Sequence, residues 1–249
     1  MIRLPKPDKP KPNFFPPEIK GNPEFWPFFK DAIGVADGIH IPVKKVPTDH
    51  LNRFRNPSGG LSQNVLGICN FNFLFDFVLP GWEGFATDHQ VLKFALDHGG
   101  LKVPDGKYYL VKSVDARYGG QKELLPPYPG VSTLCVKKTL HHTLRMVIDR
   151  RFGVMKKRFK ILMTGGGYDI NTQAKLVYAL AGLNNFILVY CGKEDMEGWK
   201  EEDDDDDTRV RRENAVDEQP VHQGPEDAAM MAMRDRMARD MWDAVYEEL

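Results

Sequence analysis

Asp37 is an acidic residue inside an otherwise apolar stretch. Residues 34–43 read as a β-strand that Pro42 ends, and Val35 and Ile39 share the face of Asp37 because side chains alternate along a strand. A carboxylate buried among apolar side chains is costly unless it is paired, hydrogen-bonded or bound to a cation. Asp37 therefore has two interpretations: a turn cap or partner of a lysine, or a metal ligand.

Asp149 is the only acid among the nine bases of residues 137–160. A helix is predicted from about residue 140 to residue 159, and Asp149 lies at the edge of its packing face. It could pair with Arg145 or Arg150 along the helix, and the basic helix could contact phosphates or simply be solvated. The predicted buried stripe of this helix comprises Leu140, Leu144, Ile148, Phe152, Met155 and Phe159.

Two acids supplied by a central strand and a helix suit two-metal phosphodiester chemistry. Carboxylates hold paired Mg²⁺ ions, which orient an attacking water or hydroxyl and neutralise charge on the leaving oxygen. Such a site needs a third acid from a neighbouring strand. The sequence has no GxxxxGK[ST] loop, GxGxxG fingerprint, HExxH helix or GxSxG elbow. This disfavours P-loop NTPases, dinucleotide-binding enzymes, zinc metalloproteases and α/β-hydrolases. His141, His142 and Glu83 lack metal-ligand spacing and are given no role.

The remaining apolar pattern predicts the elements that must position these acids. A capping box at residues 87–90 opens a helix, and the glycines of residues 165–167 break the chain before a last, mostly apolar helix. Short strands followed by a strand and helices predict an α/β or α+β domain. The further predicted elements are strands at residues 63–70, 73–79 and 107–114, the first two close enough in sequence for a hairpin, and helices at residues 88–98 and 171–189.

Composition divides the chain into four parts. Residues 1–27 hold eight of the 18 prolines and are predicted to be extended or loosely docked. Residues 28–192 form the folded domain. Residues 193–224 are charged and poor in aliphatics, which is typical of a disordered linker. Residues 225–249 are predicted to form an amphipathic helix that docks on the core or on a partner, through Met230, Met233, Met237, Met241 and Val245.

The net charge of −1 hides a strong asymmetry. Residues 201–249 carry 17 acidic and 6 basic side chains, a net charge of −11, whereas residues 1–200 have a net charge of +10. A basic body with an acidic tail indicates a polyanion-binding surface that the tail shields, or an ordinary domain with a solubilising tail. The three cysteines form no CxxC pair, and no apolar run reaches 18 residues, so we expect a soluble intracellular protein without a disulfide framework, zinc site or membrane span.

Seven short segments of the chain resemble motifs of one known family. They are residues 29–41, 62–65, 79–84, 107–110, 127–131, 147–159 and 183–187. The motifs that they resemble, in the same order, are GAIDGTHI, SQNV, LPGWEGSAHDSRVL, KYYL, PYRGV, VIERxFGVLKKRF and LHNFI. These are motifs of the PIF/Harbinger-type transposases and their domesticated, nuclease-like relatives. No single motif is specific, but together they span roughly residues 22–190.

The resemblance implies an α/β fold of the ribonuclease-H-like type, a mixed sheet with flanking helices over residues 28–192. It implies a DDE endonuclease ancestry, with a divalent cation (Mg²⁺ or Mn²⁺) as cofactor and DNA as substrate. The same resemblance implies a nuclear location, to which a cytoplasmic one can be added, and a separate Myb/SANT-like DNA-binding partner. No membrane is implied.

Carried over position by position, the resemblance places the first acid on Asp37 and the third on Asp149, where the family has a glutamate one methylene longer. The second acid falls on Lys112, so Asp115, three residues further on, is the candidate substitute. Asp88 matches the acid of the AHDS motif, either as a metal neighbour or as a helix-start residue favoured by the helix dipole. The implied catalytic acids are Asp37, Asp115 and Asp149, and the implied metal ligands are Asp37, Asp88 and Asp149.

Two functions remain open at this point. One is a divalent-metal endonuclease of the DDE type. The other is a catalytically degenerate, transposon-derived protein that keeps the fold and binds DNA or a partner, because Lys112 puts a positive charge where the second acid would bind a cation. A transposon remnant without function is the third alternative.

Overall fold

The computed structural model describes residues 14–111, 123–126 and 135–192, together with nine residues between 232 and 243. In residues 135–139 it describes the backbone alone. The helices are α1 (Pro17–Lys20), α2 (Leu51–Phe54), α3 (Asp88–Asp97), α4 (Cys135–Arg158), α5 (Ile161–Thr164) and α6 (Ile170–Cys191). The strands are β1 (Ala32–Pro42), β2 (Ser62–Cys69), β3 (Phe75–Glu83), β4 (Tyr108–Val111) and β5 (Leu124–Leu125), and a short 3-10 turn (Thr48–His50) precedes α2.

The five strands form one mixed sheet in the order β3-β2-β1-β4-β5. The first three strands are antiparallel neighbours, as the predicted hairpin of β2 and β3 requires, whereas β4 and β5 run parallel to β1. A mixed five-stranded sheet with flanking helices is the arrangement expected of a ribonuclease-H-like α/β fold. The predicted fold class is therefore confirmed.

Two apolar clusters cover the two faces of this sheet, and we name each face by its helix. On the α4 face, strand residues pack against helices α4 and α6, and on the α3 face they pack against α3. The α4 face includes Val35, Ile41, Val65, Cys69, Leu110, Leu144, Ile148, Phe152, Met155, Val177 and Ala181. The α3 face includes Ile33, Ala36, Leu66, Ile68, Tyr109, Val111, Val91, Leu92 and Ala95.

The helix boundaries follow the local signals in the sequence. Thr87 caps α3 by accepting from the backbone of Gln90, whose side chain accepts from the backbone of Thr87, so the predicted capping box is confirmed. Gly165, at φ 69°, ends α5 in a conformation that side chains disfavour. In α4, the middle of the predicted stripe is buried, and Leu140 and Phe159 at its ends are partly buried.

Helix α6 is long and apolar enough to span a membrane by length and composition alone, with a mean hydropathy of 1.4. The expectation of no membrane span rested on the lack of an uninterrupted apolar run, which is a different criterion. A core helix passes the same test, and α6 contributes Val177, Ala181 and Leu188 to the apolar clusters. Its outward side exposes Phe186 and Tyr190.

The described parts of both terminal segments pack on the core. Ile19 of α1 is fully buried and Phe25 is buried, so residues 14–27 are docked more closely than their proline content indicates. Near the other terminus, Met233, Met237 and Met241 contact the α4-face cluster, which is the docking expected of an amphipathic helix. Sequence patterns did not predict α1, α2, α5 or β5, because each has only two to four residues.

Candidate acid-pair site

Asp37 and Asp149 converge on one nitrogen atom of Arg145. Arg145 Nη1 lies 3.0 Å from Asp149 Oδ2 and 3.6 Å from Asp37 Oδ2. The three side chains are 8%, 15% and 6% exposed for Arg145, Asp149 and Asp37, so the group is shielded from solvent. Strand β1 and helix α4 thus bring together the first and third acids that the sequence resemblance singled out.

A glycine in the neighbouring strand lets α4 approach Asp37 closely. Gly67 of β2 is paired with Asp37 across the sheet and shares its face. A β-carbon on Gly67 would lie 2.3 Å from the ring of Phe152, so the missing side chain leaves the space that this ring fills. Phe152 lies three residues beyond Asp149 on α4, on the same side of the helix. The packing of its ring against Gly67 therefore places Asp149 near β1.

Arg145 belongs to the buried side of α4, one turn before Asp149 and one turn after His141. The His141 ring is buried, and its Nε2 lies 3.2 Å from the carbonyl oxygen of Leu125, so it links α4 to the edge strand β5. Burial, with a smaller effect of the Arg145 charge, lowers the pKa of His141 to about 4, so this ring is neutral at neutral pH. Arg145 is therefore the cation that faces the two carboxylates among the described residues of this part of α4.

The donor chemistry of the pair fits a divalent cation. Two buried carboxylates are the ligands that Mg²⁺ and Mn²⁺ prefer, and the point between them already holds a positive charge, the Arg145 guanidinium. Within the described residues no third acidic, histidine or cysteine side chain joins them. Asp115, the candidate substitute for the second acid, and Lys112 both lie outside the described residues.

Asp88 is not brought to this pair. A β-carbon on Gly38 would lie 1.9 Å from Asp88 Oδ1, so the carboxylate lies over Gly38. Because neighbouring strand residues point to opposite faces, Asp88 is on the α3 face, whereas Asp37 is on the α4 face. Asn64 donates from Nδ2 to Asp88 Oδ1 at 2.8 Å, which holds the first turn of α3 against β2. Its position therefore supports the helix-start alternative rather than a metal ligand beside Asp37.

Sequence reasoning missed a polar joint that is built from two of the resembling segments. Asn185 of α6 accepts from the backbone nitrogen of Phe75 at 2.9 Å and donates to its carbonyl oxygen at 2.8 Å, as a neighbouring strand would. Arg151 of α4 is fully buried and donates to the same Asn185 oxygen at 3.2 Å. The two residues thus join α4, α6 and the edge strand β3. Their positions in the VIERxFGVLKKRF-like and LHNFI-like segments were the available signal.

The comparison with protein families assigns this domain to a family. The sequence model of the DDE superfamily endonuclease family matches residues 36–185, a range that contains Asp37, Arg145, Asp149 and Asn185. Since the match covers more than half of the 249 residues, the chain belongs to the DDE superfamily endonuclease family. This superfamily generally uses divalent metal ions, and a nuclease domain of this kind implies a DNA substrate. Neither the curated proteins nor the solved structures gave a match.

Proposed function

We propose that this chain is a transposase-derived nuclease of the PIF/Harbinger type that hydrolyses phosphodiester bonds of DNA with a divalent cation. The observation that carries the proposal is the convergence of Asp37 and Asp149, from a central strand and a packed helix, on one cationic atom. Both acids lie within the segment that the DDE endonuclease family matches. The subtype and the reaction go beyond the family assignment and rest on the motif resemblance.

In this proposal the acid pair binds the cation, and the basic end of α4 binds the DNA. Asp37 and Asp149 would hold the cation, and the chemistry it would supply is activation of the attacking water and neutralisation of charge on the leaving oxygen. The last turn of α4 is basic and half-buried, with Lys156, Lys157 and Arg158 in sequence, and would contact phosphate groups of the DNA backbone. The net charge of +10 over residues 1–200 favours the same ligand.

Nicking of supercoiled plasmid by the full chain in Mg²⁺ or Mn²⁺ tests the proposal. We expect nicking that stops in EDTA and falls by about two orders of magnitude or more in Asp37→Asn and in Asp149→Asn, because each loses a ligand charge. Asp88→Asn is the matched control, since it removes a carboxylate from the other face of the sheet, and it should retain nicking. Nicking that survives both ligand substitutions would overturn the proposed site.

A second candidate, a catalytically degenerate protein that retains DNA or partner binding, is favoured by two specific observations. The motif resemblance aligns Lys112 with the second acid of the family, and Arg145 Nη1 lies between Asp37 and Asp149. Salt-sensitive DNA binding without any nicking is the outcome that selects this candidate. Lys112→Asp should then raise the affinity for Mn²⁺ if the rest of the site persists, and an unchanged titration would mean that more than Lys112 has been lost.

The location and the partner follow from the resemblance as proposals. We propose a nuclear protein that works with a separate Myb/SANT-like DNA-binding protein, because the resemblance to the PIF/Harbinger-type family implies both. Imaging of the tagged full chain and co-purification of a protein with a Myb/SANT-like domain would test this. Exclusion of the tagged chain from the nucleus would contradict it.

A further inference from the structure

We infer that Arg145 is the built-in counter-cation of the Asp37–Asp149 pair, and that a divalent cation binds between these acids only by displacing the guanidinium. The inference deepens the proposed function and rests on it in one respect, the ability of the acid pair to bind a metal. It assigns to Arg145 a role that is separate from catalysis. Arg145 is a positioning residue in the metal-free protein and a competitor of the metal.

The positions of the three side chains support competition for one place. Arg145 Nη1 lies within ion-pair distance of one oxygen of each acid. Mg²⁺ binds carboxylate oxygens at about 2.0–2.1 Å and requires nearly ideal octahedral geometry. An ion shared by Asp37 and Asp149 therefore needs the volume between the two oxygens, which the guanidinium nitrogen fills.

The charges of the same groups explain why the arginine is there. Two carboxylates that are largely shielded from water repel each other, and an uncompensated buried charge strongly destabilises a fold. Arg145 supplies a positive charge from the helix that carries Asp149, four residues before it, so the compensation forms whenever α4 folds. While the guanidinium stayed in place, a divalent ion would lie only a few ångströms from its positive charge. The resulting repulsion lowers the affinity of the acid pair for the ion.

The contact between the Arg145 guanidinium and the two carboxylates is one that a metal ion can replace. Arg145 Nη1 is buried and makes no hydrogen bond within the described residues, so the contact of this atom with the two carboxylate oxygens is ionic. An ionic contact of this kind can be exchanged for a contact with another cation, while Asp37 Oδ1 keeps its hydrogen bond from the backbone nitrogen of Gly38. The metal-free protein is thus stabilised by Arg145, and the metal-bound protein by the ion.

Mn²⁺ titration of the full chain, followed by calorimetry at fixed pH, tests the inference. Arg145→Gln removes the charge and keeps a polar side chain, so Mn²⁺ should bind about tenfold or more tightly than to the unsubstituted chain. The same variant should melt at a lower temperature in EDTA and regain much of that loss in Mn²⁺, whereas the unsubstituted chain should respond little. Arg150→Gln is the matched control, because Arg150 is an exposed arginine of the same helix that lies over the ring of Phe73, and it should behave as the unsubstituted chain does.

Two further variants make the result specific. The double variant Arg145→Gln with Asp149→Asn should lose the gain in Mn²⁺ affinity, because the added affinity depends on the freed carboxylate. Arg145→Lys keeps the charge on a single, more mobile nitrogen, so its affinity for Mn²⁺ should lie between those of the unsubstituted chain and Arg145→Gln. If Arg145→Gln does not fold, the comparison of Arg145→Lys with the unsubstituted chain tests the inference.

The outcomes separate this inference from the proposed function. If the unsubstituted chain binds Mn²⁺ as tightly as Arg145→Gln and Arg145→Lys do, the inference is overturned and the metal-dependent function stands. If Mn²⁺ binds to none of them, both are overturned. If Mn²⁺ binds to the variants alone, the inference is supported, and the unsubstituted chain is a metal site that its own arginine keeps closed.

Discussion

The carboxylate of Asp88 lies against the α-carbon of Gly38, so closely that a β-carbon there would be 1.9 Å from Asp88 Oδ1. Asn64 holds the carboxylate in place, since its Nδ2 donates to Asp88 Oδ1 at 2.8 Å and to the carbonyl oxygen of Ala86 at 2.9 Å. The first turn of α3 is thereby joined to β1, one residue past Asp37. The glycine of the DG dipeptide and the aspartate of the AHDS-like segment are two halves of one joint on the α3 face.

Gly38→Ala should destabilise the fold by about 1–3 kcal/mol, because the new methyl group overlaps the Asp88 carboxylate in a packed site. In an Asp88→Ala background the same substitution should cost less, since the overlapping atoms are gone. A double-mutant cycle of urea unfolding measures this coupling, which we expect to be about 1 kcal/mol or more.

Gly60→Ala is the control for this cycle. Gly60 lies in an exposed turn where the nearest atom to a β-carbon would be 3.6 Å away, so its substitution should change stability by less than about 0.5 kcal/mol. Equal effects of Gly38→Ala with and without the Asp88 carboxylate would show that the two residues are not coupled.

Some features of the site can be predicted from the sequence, and others depend on the tertiary fold. The alternation of a strand places Asp37 and Gly38 on opposite faces. Asp37 stands out from its apolar surroundings, and Asp149 stands out as the only acid among the bases of residues 137–160. The face on which α3 packs depends on the path of the chain after β3, so the separation of Asp88 from Asp37 could not be predicted locally. The contact of Arg145 with Asp37 likewise depends on how closely Phe152 approaches Gly67.

Short elements escaped prediction for a different reason. Leu124–Leu125 is a two-residue strand, too short to show a period of two, and it exists because β4 offers its free edge. The strands β1 to β3 and the helices α3, α4 and α6 are long enough for periodicity to identify them, with boundaries that differ by a few residues. Arg151 and Asn185 are polar residues whose burial follows from tertiary packing alone.

Asn185→Ala should destabilise the protein by about 2–4 kcal/mol. The substitution leaves the backbone nitrogen and oxygen of Phe75 without their partners, and it removes the acceptor that Arg151 uses, while all of these groups stay buried. Thermal unfolding and urea unfolding of the variant measure the loss.

Asn171→Ala is a matched substitution in the first turn of the same helix, where the side chain is exposed, and it should change stability by less than about 0.5 kcal/mol. If the two asparagine variants unfolded alike, the hydrogen bonds between Asn185 and β3 would not contribute to stability.

Asp76→Asn should stabilise the protein above neutral pH. Burial raises the pKa of Asp76 from 3.8 to about 7, and the hydrogen bond from Asn70 at 3.0 Å only partly opposes this. The folded state thus holds the proton up to about pH 7, whereas the unfolded chain releases it near pH 4, so this group's contribution to stability falls as pH rises through that window. The gain at pH 8.5 has an upper limit on the order of 4 kcal/mol and should shrink toward zero at pH 4.5.

Urea unfolding of Asp76→Asn and of the unsubstituted chain at both pH values gives the difference directly. Asp97→Asn removes an exposed carboxylate at the end of α3 and serves as the control, with a pH dependence like that of the unsubstituted chain. An equal advantage of Asp76→Asn at pH 4.5 and pH 8.5 would mean that the proton on Asp76 is not its cause.

Neutralising the acidic run of residues 203–207 should strengthen nonspecific DNA binding. The run carries five aspartates in a chain whose residues 1–200 have a net charge of +10, so we expect it to compete with DNA phosphates for the basic residues at low salt. Deleting residues 201–249 would be a poorer test, because Met233, Met237 and Met241 pack on the core.

Replacing the five aspartates by asparagine should tighten DNA binding several-fold in roughly 50 mM salt, and the gain should fade as screening increases. Fluorescence anisotropy over a salt series measures it, with five glutamates in the same positions as the charge-preserving control. Binding that is equally tight in the asparagine and glutamate variants would show that the run does not compete for the basic surface.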